Sequence, residues 1–228
     1  MSEATGVWTY AITEDGHLYG PDGEVDLSWL TGVGETKVRT ATSGGLTVLV
    51  SDVSMAEFGE AALRENRENP RWLNEVAREH HYVIDAAARL FPLLPVRLAT
   101  VYSGDDALRA ALAEHNAQLL DALRRVGGRV EWGVKAYAGP ESGPGSGVQA
   151  VHADLTAKAK DARLHPPQSP QLSGIQEPML LNAAYLLDAA DGVRFTAAVA
   201  GQATAHPELR IELTGPWPPY SFAGDDGR

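Results

Sequence analysis

Prolines bracket one segment of this 228-residue chain and leave it a single regular option. Asn69-Pro70 reads as a helix start, with asparagine at the cap and proline at the first helical position, where a missing N–H is no loss. Leu73, Val76, His80, Val83, Ile84, Ala87 and Leu90 then recur at helical spacing. Pro92 and Pro95 end the helix, because proline cannot donate to the helical ladder.

Strand-like runs lie on both sides. Val7 to Thr13 is rich in β-branched and aromatic residues and closes on Glu14-Asp15-Gly16. Thr36–Ala41 and Leu46–Val53 flank Thr42-Ser43-Gly44-Gly45, the pattern of a hairpin, and the second run is apolar enough for a central strand. Glu57 to Asn69 is polar and partly helical. Val96 to Tyr102 alternates as a short strand. Ser103 is placed to cap a further helix, with Asp105 and Asp106 in its first turn. Leu108, Ala111, Leu112, His115, Leu119, Ala122 and Leu123 form its apolar face, and Gly127-Gly128 stop it.

Beyond Gly128, Arg129 to Ala138 reads as a strand. Residues 139–147 are a Gly-Pro-rich loop. A helix is expected from Val148 to Leu164, with Val148, Val151, Leu155, Ala159 and Ala162 on one face, ended by Pro166-Pro167. Met179 to Leu187 reads as an apolar strand, Asp188 to Ala205 as an alanine-rich helix, and Leu209 to Leu213 as a last strand. Gly215 to Phe222 is too rich in proline for regular structure. The order implies an α+β protein of two ferredoxin-like or modified ferredoxin-like halves, antiparallel sheets covered by helices. The expected domains are residues 1–128 and 129–228.

Composition narrows function. Nineteen Lys and Arg stand against 30 Asp and Glu, a formal net charge of -11. Binding to nucleic acid or an anionic membrane needs a basic footprint, and none is present. No cysteine occurs, which excludes disulfides and thiol chemistry. No basic leader followed by an apolar run opens the sequence, and no stretch approaches the roughly 20 apolar residues of a membrane span, so a cytoplasmic protein is expected.

Chemical motifs fare poorly. His80 and His81 are adjacent and point about 100° apart on a helix, so they lack the spacing of a metal pair. His80 reads as a hydrogen-bonded core histidine, and His115 likewise. Gly32-Val33-Gly34-Glu35-Thr36-Lys37 has its elements in the wrong order for a phosphate loop. No nucleophile elbow occurs. No catalytic residue, cofactor or metal ligand is assigned. The tail is the unusual feature: Trp217, Tyr220 and Phe222 stand among three prolines. It either clamps onto its own core or offers aromatic contacts to another protein, and the two can coexist.

Four segments together resemble a known family. They are His80-His81 through Phe91-Pro92-Leu93-Leu94-Pro95-Val96, then Glu131-Trp132-Gly133-Val134-Lys135, Leu181-Asn182-Ala183-Ala184-Tyr185-Leu186, and Thr214-Gly215-Pro216-Trp217-Pro218-Pro219-Tyr220-Ser221-Phe222. In this order they are similar to the gas vesicle protein F/L family. Two departures are visible: a short Gly-Pro-rich link between Ala138 and Met179, and Leu98-Ala99-Thr100 where relatives often carry Phe-Gly-Thr. The resemblance implies a cytoplasmic, non-enzymatic accessory protein associated with the gas vesicle. It implies binding to the small hydrophobic wall protein, and to other gas vesicle accessory proteins, to nucleate or build the shell. The competing readings are a small enzyme or ligand-binding protein on a ferredoxin-like scaffold, and a minor component retained in the finished shell.

Overall fold

The computed structural model describes residues 4–20, 23–66, 68–139, 147–169 and 174–224. The chain divides into a first unit of residues up to Gly128, together with its end from Ala223, and a second unit of Arg129–Phe222.

The first unit opens with β1 (Thr5–Glu14), a two-residue hairpin of β2 (Tyr19–Gly20) and β3 (Gly23–Glu24), then β4 (Val38–Ser43) and β5 (Leu46–Ser54). Short helices α1 (Met55–Phe58) and α2 (Glu60–Asn66) lead into α3 (Pro70–Ala88). After it come β6 (Leu94–Pro95), β7 (Val101–Tyr102), α4 (Asp105–Glu114) and α5 (Asn116–Val126). The sheet runs β4-β5-β1, with β6 and β7 both paired to the far side of β1, all antiparallel. This is the ferredoxin-like strand order, modified because the β2–β3 hairpin stands where the first crossover helix would be.

The hairpin between β4 and β5 forms because Gly44 and Gly45 both hold positive φ, +61° and +83°, which matches the twist of the strands. α3 starts as its sequence demands: the Asn69 side chain accepts from the N–H groups of Arg71 (3.2 Å) and Trp72 (3.4 Å). Val76, His80, Val83, Ile84 and Ala87 are buried. Leu73 and Leu90, at the two ends of the expected face, are exposed.

His80 is the polar centre of this layer and is 3% exposed. Trp8 Nε1–H donates to His80 Nδ1 at 3.0 Å, and an indole nitrogen only donates. Nδ1 therefore accepts, and Nε2–H donates to the carbonyl of Val96 at 3.0 Å. One ring thus joins α3, β1 and the segment after β6. Tyr10 lies against the same ring, 5.4 Å between centroids, while its hydroxyl donates to Ser51 Oγ and accepts from Val33 N–H.

Three expectations for this unit need correction. Val96 to Tyr102 is not one strand. β1 bulges between Thr9 and Ala11, so its partner splits into β6 and β7 around a turn in which Ala99 holds φ +63°. That conformation is one glycine adopts freely. The helix after Tyr102 is capped by Gly104 rather than Ser103, and Asp105 instead meets Arg39 of β4 at 2.8 Å. That helix also breaks at His115 (φ -106°, ψ 13°), which is exposed, with Nδ1 3.2 Å from Gln118 Oε1.

The second unit is a complete ββ-paired set: β8 (Arg129–Ala138), α6 (Val148–Thr156), β9 (Asp161–Leu164), β10 (Met179–Asp188), α7 (Gly192–Ala205) and β11 (Leu209–Trp217). Its antiparallel sheet is ordered β11-β8-β10-β9, the unmodified ferredoxin-like arrangement. Val134 and Ala136 of β8 pack with Tyr185, Val151, Leu155, Phe195 and Val199, so α6 and α7 share one face of the sheet.

The helix expected to reach Leu164 stops at Thr156. Residues Asp161–Leu164 instead complete the edge of β10, with Lys160 N–H bonded to the Leu186 carbonyl and His165 N–H to that of Asn182, both at 2.8 Å. Unpaired strand groups outweigh helical period here. Ala159 and Ala162, which continue that period, still pack on the core. The segment after Leu213 is also more regular than expected: β11 continues to Trp217, and Tyr220–Ala223 make one helical turn, α8. Most of the Gly-Pro-rich loop, residues 140–146, lies outside the described residues.

His80 generates a pH prediction. Burial pushes its pKa down to about 4, against an ordinary 6.5. The unfolded chain takes up a proton through this window while folded His80 refuses it, so stability is full above pH 6.5 and falls toward pH 4. Urea unfolding of the wild type is expected to lose about 2–3 kcal/mol more between pH 7 and 4.5 than His80→Phe does. Parallel losses in the two proteins would refute the assignment.

Candidate functional site

β8 alternates between the two faces of its sheet. Val134 and Ala136 enter the helix-covered core, which leaves Glu131, two residues apart in phase with Gly133 and Lys135, on the opposite side. Glu131 is where the tail returns. Ser221 N–H donates to Oε2 and the Ser221 hydroxyl to Oε1, each at 2.7 Å. His165 Nε2 lies 3.1 Å from the same hydroxyl oxygen, whose proton is already given to Glu131, so the imidazole is the donor. Arg163 of β9 donates to the Ser221 carbonyl and sets its guanidinium 5.2 Å from the Phe222 ring centroid. Burial raises the Glu131 pKa, and the two Ser221 bonds, His165 and Arg163 oppose that rise.

The approach to this cluster depends on Gly215. Its φ is +120°, and a Cβ there would stand 2.8 Å from the Glu131 carbonyl oxygen. The Gly215–Pro216 peptide is cis, and the register to β8 shifts before Trp217 pairs with Glu131.

The three tail aromatics occupy different environments. Phe222 is fully buried, Tyr220 is half-buried, and Trp217 is 43% exposed. The structure therefore gathers Phe222 into the polar cluster and leaves much of the Trp217 face in solvent. Sequence reasoning quoted Glu131 and Ser221 within motifs but gave them no role, and did not single out Arg163 or His165. The available signal was a glutamate inside a strand whose inward residues are apolar.

The cluster has the residue types of acyl-transfer sites without their geometry. In a working triad the acid orients the imidazole, and the imidazole takes the serine proton. Here the acid binds the serine directly and holds its proton. Among the described residues no group of three or more His, Asp or Glu is placed to hold a metal ion. His80 has both ring nitrogens committed to Trp8 and Val96. Among the described residues no helix is long and apolar enough to cross a membrane.

Comparison with known proteins gives a consistent result. The family model described as gas vesicle synthesis protein GvpL/GvpF matches residues 6–144 and 145–224. Gas vesicle protein L of Streptomyces sp. (strain CB03234) is 34% identical over 255 residues, covering 95% of this chain and 92% of the relative. Gas vesicle protein F2 of Halobacterium salinarum is 24% identical, covering 97% and 93%. Among solved structures, GvpF from Anabaena sp. PCC7120 is similar with a TM-score of 0.71 at 20% identity, covering 96% of each chain. GvpF from Microcystis aeruginosa is similar with a TM-score of 0.69 at 19% identity, covering 96% and 99%. At these identities the two structures speak for the fold alone.

The tail geometry orders three substitutions by cost. Phe222→Ala is expected to lose about 3–5 kcal/mol, the cost of truncating a buried aromatic. Ser221→Ala leaves a buried carboxylate short of a donor and is expected to lose about 1–3 kcal/mol. Trp217→Ala is expected to lose only about 1 kcal/mol. Chemical denaturation of the three variants checks the order, and a Trp217 loss equal to that of Phe222 would make Trp217 a structural anchor.

Proposed function

Because the chain belongs to the GvpL/GvpF family of gas vesicle synthesis proteins, we propose that it is a cytoplasmic, non-catalytic assembly factor. It binds the small hydrophobic wall protein and helps to nucleate or build the gas vesicle shell. The observation that carries this reading is the family match along nearly the whole chain, across both units.

Physical chemistry supports it. A wall subunit that keeps water out on one side exposes apolar surface before assembly, and such surface aggregates. A partner with a net charge of -11 stays soluble while it holds that surface. In this reading Trp217 is the contact, Tyr220 lies beside it in sequence, and Phe222 holds the tail in shape from beneath. A pre-ordered aromatic loses little entropy on binding. The enzyme alternative is disfavoured by the direction of the Ser221 proton toward Glu131. The other accessory proteins of the vesicle are the further partners this role calls for.

Co-expression with the wall protein of the same gene cluster tests the proposal. Wild type is expected to yield a soluble complex, and Trp217→Ala to lower its recovery about tenfold at unchanged fold, as loss of an interface anchor does. If the wall protein remains insoluble and no complex is recovered with wild type, wall-protein binding is wrong.

A further inference from the structure

The first unit contains a cavity of about 460 Å³ between strands β1, β5 and β6 and helices α4 and α5. Ala223 and Gly224, which follow the tail cluster in sequence, also line it, whereas Glu131, Arg163, His165, Ser221 and Phe222 do not. Its walls are apolar and buried: Ile12, Val48, Leu94, Leu108 and Leu112 are each less than a tenth exposed. Its polar lining is different in position. Arg97, His115 and Gln118 are exposed, so they stand at the mouth rather than the floor.

The charge of that mouth runs against the charge of the chain. Among the described lining residues Arg97 is the one formal charge and none is a carboxylate, although the chain as a whole carries -11. Arg97 makes no ion pair with another described residue. Its backbone is held in place, since its carbonyl accepts from the Thr100 hydroxyl at 2.8 Å in the turn around Ala99. An apolar hollow that is left unfilled forfeits dispersion contacts on all its walls. A volume of this size lies in the range of pockets that enclose small organic molecules.

The geometry points to a binding site for a small amphipathic anion, with an alkyl chain in the cavity and a carboxylate at Arg97. The apolar walls select the chain, and the guanidinium, a fork of fixed donors, matches the carboxylate. Gln118 adds a side-chain amide at the mouth. An alkyl chain on the order of ten carbons fits a pocket of this class. The inference is independent of the wall-protein reading, because Trp217, Tyr220 and Phe222 do not line the cavity.

Calorimetric titration of the full chain with dodecanoate, kept below its micelle concentration, tests it. Saturable binding at one site is expected, with a rise in Tm. Dodecyltrimethylammonium, with the same chain and opposite charge, is expected to bind at least about tenfold more weakly, and Arg97→Glu to weaken dodecanoate about tenfold, as loss of a charge-assisted contact does. Ala111→Phe, which fills the cavity from α4, is expected to abolish binding. The proposal is overturned by absent or non-saturable binding, by equal affinity for the ammonium compound, or by a folded Ala111→Phe protein that binds as well as wild type. Arg97 is exposed and its replacement leaves the fold intact, so the charge test decides even if Ala111→Phe fails to fold.

Discussion

The imidazole of His80 is the interaction on which the first unit depends. Trp8 can only donate, so the bond at 3.0 Å fixes the tautomer, and the tautomer sends the remaining proton to the Val96 carbonyl. Helix, central strand and the crossing segment are thereby held in one register. Around the ring, Trp8 meets Phe58 edge-on at 5.7 Å, and Tyr10 carries a second chain of hydrogen bonds to Ser51 and Val33. Such a network specifies one packing, because slipping α3 by a turn would orphan several buried polar groups at once.

The second unit solves a similar problem with a carboxylate. Glu131 is taken out of water on a strand, which raises its pKa, and the structure answers with two bonds from Ser221, the Arg163 guanidinium and the His165 imidazole nearby. A buried acid without those donors would be costly. The consequence is that Ser221 is fixed in place and Phe222 is delivered to the interior. Trp217, which pairs with Glu131 across the strands, is left 43% exposed, and that is the link to the proposed role in assembly.

Much of this was legible in the sequence, and the exceptions have physical causes. Asn69-Pro70 and Gly44-Gly45 act through their own backbones, so their caps and turns followed from local chemistry. β8 was legible because Val130, Trp132, Val134 and Ala136 alternate with Glu131, Gly133 and Lys135, and β10 because its apolar residues predominate. β9 was missed because its residues continue a helical period and only the open edge of β10 decides otherwise. The break at Ala99 follows from a bulge on β1, some ninety residues earlier in the chain, by the bond between Thr9 and Thr100 (separation 91). Glu131 and Ser221 are 90 residues apart, and neither spacing nor composition signals a pair at that distance. Two of the four segments that carried the family resemblance contained them, one each, without disclosing that they touch.

Hydrogen–deuterium exchange on the full chain, alone and with the wall protein, tests the account most directly. In the protein alone the amides of Ser221 and Phe222, bonded to Glu131 and to the Pro219 carbonyl, should exchange slowly. Addition of the wall protein should then slow exchange in the peptide around Trp217. A tail that exchanges at unstructured rates, or a Trp217 region indifferent to the wall protein, would contradict the claim that a tail fixed by Glu131 presents the binding surface.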